Sequence, residues 1–90
     1  MEKERKKAAA LKYETGYKAP IVTAVGMGLM ADKIIEKAAE NEVPIVYNKE
    51  LADLLTNVEV GSNIPYELYD TVAEVIGYIM DVDSDVGRRR

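Results

Sequence analysis

Ninety residues suffice for one hydrophobic core and not for two. With 48% hydrophobic residues, 31% charged residues and a net charge of −4, the chain reads as an ordinary globular domain, neither disordered nor built for a general grip on nucleic acid. It holds no cysteine and no histidine, which excludes disulfide frameworks, thiol chemistry, Ser-His pairs and Cys/His zinc sites. No apolar run approaches the roughly 18 residues of a membrane span, and the charged N-terminus lacks a signal-peptide core. A cytoplasmic protein with no direct membrane insertion is the expectation.

The opening stretch MEKERKKAAALKYE pulls in two directions. Its Glu, Lys, Arg, Ala and Leu are strong helix formers, and no Gly or Pro interrupts them before Gly16. Yet Ala9, Leu11 and Tyr13 alternate with Ala8, Ala10 and Lys12 as in a strand ending at a Thr15-Gly16 turn. Propensity by itself favours the helix. The basic clusters at Lys3, Arg5, Lys6 and Lys7, and at Arg88, Arg89 and Arg90, read as solvated ends.

The chain is organised around the stretch from Ala19 to Asn48, which reads as strand, helix, strand. Ile21 to Val25 carry no charge on either side of the alternation, as in a strand covered on both faces, and Pro44 to Tyr47 repeat that signal. Between them Met30, Ala31, Ile34, Ile35, Ala38 and Ala39 recur at three- and four-residue steps, with Asp32, Lys33, Glu36, Lys37 and Glu40 on the opposite face. Two strands joined by such a helix are expected to run parallel with a right-handed crossover.

Asn48 then caps a short helix through Leu55 that stops near Asn57, and Val58 to Asn63 form a loop. Pro65 opens the last helix, whose stripe of Leu68, Val72, Val75, Ile76 and Ile79 covers a face of the sheet. Gly77 in its middle suggests close packing, and from Asp81 onward a polar tail is expected to fray.

Two motifs imitate chemistry. Gly26, Gly28 and Ala31 spell G-x-G-x-x-A after a strand, with Glu50 at the distance of a ribose contact, so a small nucleotide-binding protein is the alternative function. A dinucleotide site needs a second half-fold that 90 residues do not supply. Asp81, Asp83 and Asp85 are spaced like the start of a calcium loop, but Val86 stands where its Gly belongs and the closing Glu is missing. Tyr66, Tyr69 and Tyr78 read as core-edge aromatics. No catalytic apparatus, metal site or cofactor is expected.

Several stretches in order, ALKYETGYKAPIVTAVG, IIEKAAENEVPIVYNKELADLL and VEVGSNIPYELYDTVAEVIGYI, resemble the cytoplasmic C-terminal domain of the FlhB export-gate family of flagellar and virulence type III secretion. The resemblance covers about Ala8 to Ile79. It implies an α/β fold, a small mixed sheet of about three strands surrounded by helices in the order strand, strand, helix, strand, helix, helix. It also turns Ala8 to Glu14 into a strand pairing antiparallel with the one at Ile21. The implied boundaries are a charged extension over residues 1–7, the domain over 8–80, and a polar disordered tail over 81–90.

Family members that switch substrate specificity carry Asn-Pro-Thr-His just before the first of these strands and cut themselves between Asn and Pro. Aligned on Lys12 and Tyr13, those places hold Lys3, Glu4, Arg5 and Lys6, and no Asn elsewhere precedes a Pro. A lysine has no amide to cyclise. The resemblance therefore implies a free-standing counterpart of the half left after cleavage, lacking the membrane helices, linker helix and preceding edge strand.

By that resemblance the expected function is a non-catalytic binding module of the flagellar export apparatus. It would dock export substrates and gate components, or substitute for the cleaved domain, at the inner face of the cell membrane. The implied docking patch is Ala19, Pro20, Ala73 and Ile76. A third reading is self-association, a homodimer completed through the unpaired edge from Ala8 to Tyr13.

Overall fold

The alanine-rich run before Gly16 is a strand. In the computed structural model, which describes residues 6–88 and their side chains as far as residue 79, β1 (Lys7–Lys12) pairs antiparallel with β2 (Ile21–Met27). Helix propensity separates these residue types by tenths of a kcal/mol each, about 0.7 at most, and burial outweighs it. The turn between the strands uses Gly16 at φ 97° and a Tyr17 N–H to Glu14 carbonyl bond of 3.0 Å. The charged residues before Lys6 lie outside the described part of the chain.

One irregularity sits inside the ladder. Ala10 pairs with Ala24 and Leu11 with Val22, so Thr23 is left over as a bulge, and its hydroxyl donates to the Ala10 carbonyl at 3.2 Å. Thr23 is exposed, so β2 is not covered throughout as its apolar sequence suggests.

Paired residues share a face, which sorts the sheet into two chemistries. Ala8 with Gly26 and Ala10 with Ala24 present small side chains to α1 (Leu29–Glu40), whose Met30 and Ile34 come closest to Gly26. Ala9, Leu11, Val22 and Val25 face the other way, into the main core with Leu51 and Leu55 of α2 (Lys49–Leu55), Ile64, and Leu68 and Val72 near the start of α3 (Tyr69–Arg88). The sheet thus lies between α1 on one side and α2 with α3 on the other.

The helix ends follow local rules. Asn48 accepts from the Leu51 N–H at 3.0 Å and caps α2, as its side chain predicts. Pro65 precedes a single 3₁₀ turn (Tyr66–Leu68) that leads into α3. The C-terminus of α1 closes with Val43 N–H on the Ala38 carbonyl at 2.8 Å and Glu42 N–H on Ala39 at 3.2 Å, with Glu42 at φ 59°. That is a Schellman closure with Glu where Gly is usual. α3 continues to Arg88, so the backbone is helical where a frayed tail is expected; from Asp81 onward no Gly or Pro interrupts it before Gly87.

The expected third strand does not form. Among the described residues the sheet has two strands, residues 43–48 carry no ladder, and the parallel crossover is absent. α1 delivers Pro44 to Tyr47 to the far side of a cleft of about 940 Å³ that β1 lines opposite, with no backbone bond between the two walls. A β-rich run becomes a strand only where a neighbouring backbone is within hydrogen-bond reach.

Candidate docking site

The four residues of the expected patch meet. Ala19 and Pro20, buried, lie in the connection entering β2; Ala73, exposed, and Ile76, half-buried, stand on α3. All four line one open cavity of about 340 Å³. Ala19 and Pro20 are held there because the Ile64 N–H bonds the Pro20 carbonyl at 3.0 Å while Ala19 packs into the core. Ala73 and Ile76 share a helix face because they are three apart, and Val72 beside them anchors that turn in the core.

Six further residues complete the wall: Tyr13, Lys18, Ile64, Tyr69, Asp70 and Gly77. Sequence periodicity alone does not gather them because they come from three places, the β1–β2 connection, the segment before the 3₁₀ turn, and the border of the apolar stripe of α3. Tyr13 meets Tyr17 edge-on at 6.3 Å between ring centroids, and Tyr69 meets Tyr66 at 5.3 Å, which braces two aromatic rings at the rim. Tyr66 and Tyr78 themselves are strongly exposed, not core-edge residues. Gly77 is not closely packed either: nothing stands within 4 Å of where its Cβ would be, because that position opens onto the cavity.

The chemistry on offer is apolar. Among the described residues no polar or charged side chain is buried, and no cluster of acidic side chains could hold a metal ion. Asp81, Asp83 and Asp85 have side chains beyond the described ones. A cavity of this size accommodates an apolar side chain or two of a partner, with Lys18 and Asp70 offering one charge of each sign at the edge.

The glycine motif does not build a phosphate cradle. Gly28, at φ 63°, precedes α1, but its N–H already donates to the Lys6 carbonyl at 2.8 Å. Asp32 places a carboxylate in the first turn, where an anion would sit, and the Lys6 ammonium donates to it at 2.6 Å. That contact raises the Lys6 pKa above the ordinary lysine value. The strand pair needed to flank a dinucleotide is antiparallel and adjacent here.

Comparison with known proteins gives the class. The sequence profile of the FlhB HrpN YscU SpaS family matches residues 5–79. The chain is 41% identical over 86 residues to Bacillus subtilis (strain 168) YlqH, covering 94% of this chain and 92% of that protein. It is 47% identical over 75 residues to the flagellar biosynthetic protein FlhB of Aquifex aeolicus, covering 81% of this chain and 21% of that protein. Among solved structures the PscU C-terminal domain superposes with a TM-score of 0.77 at 27% identity, over 81% of this chain and 95% of that one. The chain belongs to the FlhB HrpN YscU SpaS family, and its fold is that of the family's C-terminal domain. It spans about a fifth of the length of the FlhB proteins it matches. No helix among the described residues is long and apolar enough to cross a membrane.

Proposed function

We propose that this protein is a non-catalytic binding module of the flagellar type III export apparatus, which seats an apolar side chain of an export substrate or gate component in the cavity lined by Ala19, Pro20, Ala73 and Ile76. The supporting observation is the convergence of these four residues, from a connection and a helix more than fifty positions apart in the sequence, on one open apolar cavity with braced tyrosines at its rim. Family membership supports the export context. The placement of Lys3, Glu4, Arg5 and Lys6 where self-cleaving relatives carry their scissile motif supports a role by shape rather than by scission.

Ala73 is exposed, so Ala73→Asp introduces a charge without disturbing the core. The variant is expected to keep its circular dichroism spectrum and to bind purified flagellar export substrates of the same organism at least tenfold more weakly, as measured by calorimetry. Unchanged binding removes the cavity from the docking role.

A further inference from the structure

Gly77 stands inside α3 with none of the usual structural reasons for a glycine. Its φ is not positive, and the helix runs through it unbroken, so it marks neither a turn nor an end. No neighbouring element presses on it, since nothing stands within 4 Å of where its Cβ would be. Glycine is among the poorest helix formers and leaves the unfolded chain freest. The fold loses stability at this position and gains no packing contact in return.

What Gly77 does border is the docking cavity of about 340 Å³. The wall opposite α3 is fixed. Pro20 is tied through its carbonyl to the Ile64 N–H at 3.0 Å, and Ala19 is packed in the core. Tyr13 is braced edge-on by Tyr17, whose own N–H closes the turn on the Glu14 carbonyl at 3.0 Å. The room between the walls is therefore set on the helix side, where Tyr69, Ala73 and Ile76 contribute side chains and Gly77 contributes backbone alone.

We propose that Gly77 sets the depth of this cavity and so selects a guest by size: a large apolar side chain whose end reaches the α3 backbone at that position. The inference rests on the docking reading above and adds a size requirement to it. A closed apolar hollow of about 150 Å³ takes up benzene. A cavity of about 340 Å³ has room for the bulk of a leucine, methionine or aromatic side chain, and an alanine leaves most of it unfilled. An unfilled gap forfeits the dispersion contacts that would hold the guest. Glycine is the residue that permits such close approach to a backbone. The charged groups of the lining are Lys18 and Asp70, one of each sign, so the guest's tip is selected by shape rather than by charge.

The test compares Gly77→Ala and Gly77→Leu with the parent and with Ala73→Asp. It uses the full chain, calorimetry against purified flagellar export substrates of the same organism, and thermal unfolding. Both Gly77 variants are expected to melt at a higher temperature than the parent, because each puts a better helix former into open space. Binding is expected to move the other way and in order of size, weakened about threefold by alanine and about tenfold or more by leucine. A glycine required by the fold does not give that pairing of a gain in stability with a loss of binding. If Ala73→Asp weakens binding and Gly77→Leu leaves it unchanged, the docking reading stands and the size role of Gly77 falls. If Ala73→Asp leaves binding unchanged, or the parent binds none of the substrates, both fall. A lower melting temperature for Gly77→Ala also overturns the proposal, because the glycine is then a requirement of the helix itself.

Discussion

A Cβ placed on Gly26 would stand 2.8 Å from the Cβ of Met30. The contact is with the root of a side chain, not a flexible tip, so α1 and β2 must separate to admit it. Gly26→Ala is therefore expected to destabilise the fold by about 1–3 kcal/mol, seen as a lower urea midpoint at unchanged slope.

Glu42 holds the left-handed position that ends α1, at φ 59°. A non-glycine residue there carries a steric cost that Gly lacks, on the order of 1 kcal/mol. Glu42→Gly is expected to stabilise the protein by about 0.5–1 kcal/mol, part of the gain being offset by the freer unfolded chain. Thermal unfolding of the two proteins side by side measures it.

Lys6 and Asp32 tie the residue before β1 to the first turn of α1 at 2.6 Å. Because the folded pKa of Lys6 is raised, its contribution is fully present below the ordinary value of 10.5 and is lost as pH rises through the higher folded value. Lys6→Met is expected to unfold slightly more easily than the parent at pH 9, and the gap is expected to close above that folded value. Both side chains are about half exposed, so added salt narrows the gap as well.

Dinucleotides are expected to leave the melting temperature unchanged, since the start of α1 is already occupied by Asp32 and Lys6. A ligand at about 100 times its dissociation constant adds about 2.7 kcal/mol, well within reach of a thermal shift assay.

What the sequence made legible was what local chemistry controls. The 3.6-residue stripe marks α1, Asn48 marks the start of α2, and Pro65 marks the approach to α3. The strand at Ala8 was readable only through family resemblance, because its alanines are equally at home in a helix and their burial depends on α1 and Gly26 arriving from elsewhere in the chain. Pro44 to Tyr47 misled for the complementary reason. Their composition suits a strand, but pairing needs a second backbone in reach, and composition carries no such information. At the candidate site, the resemblance supplied Ala19, Pro20, Ala73 and Ile76. Tyr13 and Tyr69 each fit the period of their own segment, but that they border the same cavity emerges only once the connection and the helix are seen side by side.

Tyr13 and Ile76 line both the small cavity and the large cleft. A guest pressing on either ring or branch from one side changes the room left on the other. Thermodynamic reciprocity then requires that whatever the first visitor does to the affinity of the second, the second does equally to the first. Through these two shared residues, filling one hollow is expected to be felt in the other.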